Sequence, residues 1–536
     1  MHGAGTMAEY DYIIVGSGSA GGFLAYRLSE GGRFRVLLLE AGPTDAHWTT
    51  RIPAGSRYTF TGGRRNWSFE TEPEPYMNGR VLSQPRGKTV GGSSSLNGMV
   101  FVRGHRRDFD RWAEEGAAGW RFDDVLPFFR SIETYHGTPN PYRGDSGPIA
   151  VQKMTGNHPV EEAFIEAGSQ AGHARPDDYN GAGQEGVSAF DANHFGGWRS
   201  GTARACVWPA ARRPNVTVTT NAHVMKVLIE NRRATGVVYR HRGQDHLLRA
   251  RREVILSAGA FQSPQLLMLS GIGPADHLRE FGIEVVQDLP GVGQNLQDHL
   301  EVHVMYRCPH KGMTKNKLLA WPRIAMAGAE WMLFRTGPAA TSHSRVGAFF
   351  RSDASAAQPD IQFHFWPYFM DGWSPPPEKD GYCFDVGPVR SDSRGRVKLG
   401  SADPFAPPRI LLNGLSTGRD RSLFRTAIRF ARAIAAQPAF DFCRGPEVSP
   451  GTDVRSDSEL DDYVRNNANS AYHPCGTARM GNDAMAVTDP EARVHGIDGL
   501  RVADASIMPT ITNGNINAPS MMIGEKVAHM ILESSS

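Results

Sequence analysis

The sequence predicts a mixed α/β protein (α+β overall), a Rossmann-like domain carrying an inserted antiparallel-sheet domain. Three observations lead there. A strand, a glycine turn, a helix and a second strand are packed into residues 12–40. Short apolar strands of the same kind recur at 253–256 and 500–502. Between about 311 and 465 apolar residues alternate with polar ones instead. With 536 residues the chain is also long enough for two to four units of roughly 100–200 residues.

Tyr12-Ile13-Ile14-Val15 is an uninterrupted apolar run bounded by glycine, the pattern of a parallel strand buried on both faces. Gly16 to Gly22 follow, then Phe23, Leu24 and Leu28 at helical spacing, and Val36-Leu37-Leu38-Leu39 ends at Glu40. This is a βαβ unit. Glu253-Val254-Ile255-Leu256 leads through Ser257-Ala258-Gly259-Ala260 into a helix over 263–269. Leu500-Arg501-Val502 runs into Asp504, and 517–532 reads as a terminal helix. Ile361-Gln362-Phe363-His364-Phe365 and Arg396-Val397-Lys398-Leu399 have the period of two that marks a sheet with one covered face. The division expected is 7–160, 200–310 and 466–536 for the nucleotide-binding domain, and 161–199 with 311–465 for a substrate-binding domain.

Composition excludes more than it assigns. Net charge is +2, from 58 basic and 56 acidic residues dispersed along the chain, so no polyanionic partner and no nucleic acid is called for. The five cysteines are scattered, with no Cys-x-x-Cys pair, which indicates neither a disulfide framework nor a zinc site; no metal is expected. That usage suits the cytoplasm. No signal peptide is read at the N-terminus, Met7 is the expected natural start, and no apolar stretch reaches a membrane-spanning length. Peripheral attachment to the inner face of the cytoplasmic membrane stays open, as does the oligomeric state.

Gly16-Ser17-Gly18-Ser19-Ala20-Gly21 opens the first helix, where glycines allow a tight turn and a helix N-terminus meets a pyrophosphate. Glu40, 24 positions after Gly16, stands where a carboxylate accepts the ribose hydroxyls. Dinucleotide binding follows from this, without a choice between FAD and NAD.

The choice comes from longer motifs. Gly87-Lys88-Thr89-Val90-Gly91-Gly92-Ser93-Ser94-Ser95-Leu96-Asn97, continued by Phe101, Gly104 and Asp110, resembles the first signature of the glucose–methanol–choline (GMC) oxidoreductases. Gly259-Ala260-Phe261-Gln262-Ser263-Pro264, running on to Gly273, resembles the second. Asn66-Trp67, Asp298-His299-Leu300-Glu301 and His473-Pro474-Cys475-Gly476-Thr477 are most similar to the bacterial choline dehydrogenases of that family. The resemblance implies an FAD-dependent enzyme that oxidises the CH–OH group of a small alcohol to an aldehyde by hydride transfer to flavin N5, with oxygen or a quinone as electron acceptor. It implies an FAD site made of Gly16, Gly18, Ser19, Ala20, Gly21, Glu40, Ala41, Gly91, Gly92, Ser95, Asn97, Gly98, Val100, Val224, Ala258, Asp504, Ala505, Asn515 and Asn517. Leu96 occupies the position from which some members attach FAD covalently through histidine, so a non-covalent FAD is expected.

For catalysis the resemblance points to His473 and Asn517, which stand 44 positions apart. An imidazole is suited to take the hydroxyl proton near neutrality, and an amide to hold the alcohol oxygen. For substrate it points to Glu301, which matches the acid facing the trimethylammonium group in choline-oxidising relatives. Arg345 departs from the pattern, since similar enzymes carry an acid there. An arginine in the pocket would repel a cation, clamp a carboxylate, or pair with Glu301. Choline therefore leads narrowly, with a hydroxy acid such as 3-hydroxypropionate, or a neutral aliphatic or aromatic alcohol, close behind. His299 and His303 read as structural or pocket-lining, and most aromatics of the inserted domain as core.

Overall fold

The computed structural model describes residues 9–371 and 376–535; the expected start at Met7 lies outside them. Five parallel strands form the heart of the first sheet, in the order Val216–Thr219, Val36–Leu39, Tyr10–Val15, Gln244–Leu256 and Leu500–Val502. Val15 pairs with Leu39 and Leu256, so these strands end together, with Gly16, Glu40 and Ser257 at one rim. That rim, outside the carboxyl ends of parallel strands, is where ligands bind in such sheets.

The strand Gln244–Leu256 is longer than its apolar end suggests. Its first half leaves the parallel sheet and pairs antiparallel with Arg233–His241, which pairs with Ala222–Glu230. Helix Ser19–Leu28 returns the chain from the first strand to the second, and the terminal helix Asn517–Ser534 lies across it. Their contact is close: a Cβ on Gly524 would stand 2.4 Å from the carbonyl oxygen of Ala20. The buried Glu525 carboxylate accepts from Arg27 Nε at 2.8 Å across the same crossing.

The second sheet is antiparallel, in the order Glu447–Ser449, Leu300–Arg307, Gly381–Pro388, Ile361–Trp366, Val346–Phe350 and Gly186–Ala189, with Asn469–Ser470 pairing the start of Leu300–Arg307. The boundary expected at 310 therefore cuts late: Leu300–Arg307 belongs to this sheet. The error has a simple origin, since Leu300-Glu301-Val302-His303-Val304 alternates as the later strands do.

Period-two alternation divides this sheet's two faces. Val302, Val304, Phe363, Phe365, Tyr382, Phe384 and Val386 are buried against helices Pro159–Gln170 and Gly418–Ala435; Phe164 stacks on Phe365 with centroids 4.7 Å apart. Glu301, His303, His364, Trp366 and Asp385 are left for the opposite face, toward the rim of the parallel sheet.

Truncating the helix-side layer tests this division. Phe363→Ala, at a fully buried ring packed on Phe350, is expected to cost about 3–5 kcal/mol in denaturant unfolding. Trp321→Ala, at a side chain 80% exposed, is expected to stay within about 0.5 kcal/mol.

Candidate active site

One cleft of about 660 Å³ runs between the two sheets. Its first wall is the rim of the parallel sheet. The backbone of Gly16 turns with φ +99°, and a Cβ there would come 2.4 Å from the oxygen of Ser257, so only glycine lets the first strand pass this close to the next. The helix that follows begins at Ser19 with Gly18 as its N-cap and no side-chain cap, leaving its first N–H groups open to the cleft. Glu40 ties the loop to the second strand: Ser17 Oγ and N–H donate to one carboxylate oxygen at 2.6 and 3.1 Å, and the Gly42 N–H to the other at 2.8 Å. At the far end Asp504 accepts from the Gly259 N–H at 2.8 Å and Ser263 Oγ at 2.5 Å, joining the last strand to the second signature segment.

Of the residues expected to hold the dinucleotide, Gly16, Gly18, Ser19, Ala20, Glu40, Ala41, Gly92, Asn97, Gly98, Val100, Val224, Ala258, Asp504, Ala505, Asn515 and Asn517 line the cleft. Three do not, and their placement is a correction. Gly21 is a packing glycine whose Cβ would collide with the Gly16 oxygen at 1.9 Å. Gly91 is a turn residue with φ +87°, and Ser95 spends its hydroxyl on the carbonyl of Val90 at 2.8 Å. These residues shape the loop from behind. Arg199, which the sequence reading passed over, also supports it, donating from Nη1 to the carbonyl and side-chain oxygens of Asn97, each at 2.7 Å.

The second wall comes from the antiparallel sheet and the segment before Cys475. Glu301, His343, Ser344, His364, Trp366 and Asp385 line it, with Tyr472 and His473 beside them. Asp298 anchors the latter segment, one oxygen accepting the His473 N–H at 2.7 Å and the other the hydroxyl of Ser470.

His473 sits in a chain of hydrogen bonds whose direction can be worked out. His299 Nε2 is 3.2 Å from the carbonyl oxygen of Val389, which can only accept, so Nε2 carries the proton. Burial pushes the His299 imidazole down to about 4, which keeps it neutral and leaves Nδ1 as an acceptor. That nitrogen is 3.1 Å from His473 Nδ1, so His473 must donate there. Burial first, then the neighbouring His299, His364 and Arg86, hold His473 well below the ordinary imidazole range. A neutral ring protonated on Nδ1 has a lone pair on Nε2. That lone pair accepts from Asn515 Nδ2 at 3.0 Å.

The partner of His473 is therefore Asn515, and the expectation that Asn517 stands beside it is corrected. Two residues on, Asn517 opens the terminal helix and turns to the glycine loop, where its oxygen accepts from Ser19 Oγ at 2.7 Å. Its Nδ2 is buried without an acceptor in the protein. A stranded donor, an uncapped helix N-terminus and a glycine turn along one wall are the complement of a phosphate-bearing, hydrogen-bonding cofactor.

Arg345 is also corrected. The chain enters its strand at Val346, and Ser344 and Arg345 point oppositely: Ser344 faces the cleft, while the Arg345 guanidinium is held behind it by Glu161 at 2.7 Å and Glu162 at 2.6 Å. It pairs with neither Glu301 nor the cleft.

Sequence models described as GMC oxidoreductase match residues 10–301 and 391–524 of this chain. The chain belongs to the GMC oxidoreductase family. It is 48% identical over 528 residues to the oxygen-dependent choline dehydrogenase of Brucella ovis, covering 98% of this chain and 96% of that one, and equally similar to that of Sinorhizobium medicae. Among solved structures it resembles pyridoxine 4-oxidase from Mesorbium loti (TM-score 0.89, 32% identity, 98% of this chain and 99% of that one). Formate oxidase from Aspergillus oryzae, in its R554A form, superposes with a TM-score of 0.93 at 30% identity, covering 99% of each chain. The chain is thus an FAD-dependent oxidoreductase acting on CH–OH donors. Leu96 lines the cleft with a side chain that offers no atom for a covalent link to the flavin.

The two asparagines separate by experiment. Asn515→Ala is expected to slow anaerobic flavin reduction roughly 100-fold, about the loss of one preorganised donor, with FAD content unchanged. Asn517→Ala is expected to lower FAD content of the purified protein instead, read from its absorbance ratio. Equal FAD loss in both would contradict this division.

Proposed function

We propose that this flavoenzyme oxidises a small alcohol with a cationic head group to its aldehyde, choline being the leading named substrate. The observation behind the choice is the position of Arg345 outside the cleft, paired with Glu161 and Glu162, while Glu301 lies on the cleft wall. The argument against a cation was Arg345 in the pocket, and that argument falls; Arg57, Arg86 and Lys315 do line the cleft, Lys315 paired with Glu161 and Arg86 beside Asp298. Trp366, Tyr368 and Tyr472 line the same wall. A quaternary ammonium has no hydrogen to donate, and aromatic faces with a carboxylate are what attracts it. The reading of a hydroxy acid substrate rested on Arg345 and loses its support.

FAD, when bound, supplies the acceptor for the hydride that leaves the carbinol carbon. In this proposal the protein's own groups do the rest. His473 Nε2 takes the hydroxyl proton, and its Nδ1–H, held by His299, keeps that lone pair facing the substrate. Asn515 Nδ2 donates to the alcohol oxygen as negative charge develops there. The alcohol loses one proton and one hydride and becomes an aldehyde. The proposed electron acceptor is oxygen, as the names of the 48%-identical relatives suggest.

None of the described helices is long and apolar enough to cross a membrane. Peripheral contact with a membrane surface is part of the proposal; the feature behind it is helix Arg323–Phe334, which with Trp321 exposes Met326, Met332, Leu333 and Phe334.

Anaerobic bleaching of the flavin across choline, 3-hydroxypropionate, butanol and benzyl alcohol tests the substrate. Choline is expected to reduce the enzyme with the highest kcat/KM, and Glu301→Gln to lower that value about 100-fold, or about 3 kcal/mol, while changing butanol by less than about threefold. Fastest reduction by 3-hydroxypropionate, or choline reduction indifferent to Glu301→Gln, would overturn the proposal.

A further inference from the structure

The cation subsite contains a second acid. Asp385 lies on the cleft face of strand Gly381–Pro388, opposite His303 on one neighbouring strand and His364 on the other. It is 1% exposed, and neither of its oxygens accepts an N–H or O–H within hydrogen-bond range. His303 Nε2 stands off at 3.6 Å. The acid beside it on this face is Glu301, two residues before its cross-strand partner His303 and on the same cleft wall. Two carboxyl groups set side by side away from water are cheaper holding a proton between them than carrying two charges.

The basic residues that line the cleft, Arg57, Arg86 and Lys315, form no ion pair with either acid, and Lys315 is paired with Glu161. Asp298 and Tyr472 face Glu301. Cys383 and Tyr463 face Asp385 from its own strand and from helix Asp457–Asn467. Burial pushes His303 down to about 4 and His364 to about 3, so both are neutral. Arg86 acts on Asp298 and Tyr472 rather than on the pair, and no lysine or arginine among the described residues forms an ion pair with Glu301 or Asp385.

We propose that Glu301 and Asp385 work as one proton-exchanging unit, which releases a proton when an ammonium head group binds and keeps the other shared between the two carboxyls. A single negative charge then meets a single positive one. The inference rests on the reading of the substrate as a cationic alcohol. Asp385 is in this account a specificity residue acting with Glu301, and it takes no part in the hydride or proton transfer at the alcohol.

The electrostatics agree. Burial raises both acids; repulsion from Asp385 raises Glu301 further, well above the carboxylate range, and Asp385 itself is pushed up to about 7. Below about pH 7 the empty pair holds two protons and is neutral, which is the cheapest state in a cleft of low dielectric. An ammonium within a few ångströms stabilises the singly ionised state and drives one proton out. Cation and proton therefore compete on the acid side. The apparent Kd for a cation rises about tenfold for each pH unit below about 7 and levels above it, while neutral alcohols escape this dependence.

Calorimetric titration of the holoenzyme with tetramethylammonium, in two buffers of different ionisation heat, counts the protons released. About one proton per bound cation is expected near pH 6 and close to none near pH 8.5. In Asp385→Asn the amide donates to Glu301, whose carboxylate is then already ionised near pH 6, so the cation binds with little or no release. Asp385→Glu, which retains a second acid, is expected to keep the release and guards against an asparagine variant that fails to fold. Binding to the wild type near pH 6 without proton release would overturn this inference and leave the cationic substrate standing. Undiminished release from Asp385→Asn would overturn it as well. Failure of tetramethylammonium to bind at either pH, together with no flavin reduction by choline, would overturn both.

Discussion

The site depends on the hydrogen bond between two neutral imidazoles. His299 can accept from His473 only because its own proton is committed to the carbonyl of Val389. That commitment places the proton of His473 on Nδ1 and bares Nε2 toward Asn515. Either histidine charged, or His299 in the other tautomer, would set two donors or two acceptors against each other. The burial that keeps both rings neutral comes from bringing the segment around His473 against the start of strand Leu300–Arg307, and Asp298 holds it there through the His473 N–H. A neutral imidazole with a bare Nε2 is thus a consequence of how two distant segments are stitched together.

The same strand performs a second task. Its alternation sends Val302, Val304 and Tyr306 to the helices and Glu301 and His303 to the opposite face, where Glu301 lines the cleft, so a single period-two pattern makes both a core and a polar wall. Two acids and several histidines collected on one buried face are costly to fold. Where the fold needs only packing, on the helix side, the same sheet is filled by aromatic rings and aliphatic side chains with no carboxylate or imidazole among them. Polar burial concentrated at one wall and kept out of the core is the usual mark of a working site.

The elements with strong local signals were legible. The βαβ unit at 12–40, the strand at 253–256 and the terminal helix follow from uninterrupted apolar runs, glycines and helical spacing, and the parallel sheet forms around them. The inserted sheet was visible as alternation, but its first strand was missed because Leu300–Arg307 adjoins the Asp298-His299 segment of the other unit. Within the site, the glycine loop and His473 follow from their motifs. Asn515 and Asn517 carry the same side chain two positions apart, and only the turn at Ile516 decides which one reaches the imidazole. Arg345 shows the same limit, since one residue of strand phase separates the cleft from Glu161. Asp385 had no motif to mark it. Its signal was weaker, a lone acid in the apolar run Tyr382-Cys383-Phe384-Asp385-Val386, on the phase facing away from the core.

The central claim is the protonation of His473, and nitrogen NMR on protein carrying ¹⁵N-labelled histidine reads it directly, with the resonance assigned by its disappearance in His473→Gln. The account predicts a neutral ring near pH 7, its proton on Nδ1 and an unprotonated Nε2. An imidazolium at that pH, or a neutral ring with its proton on Nε2, would contradict it.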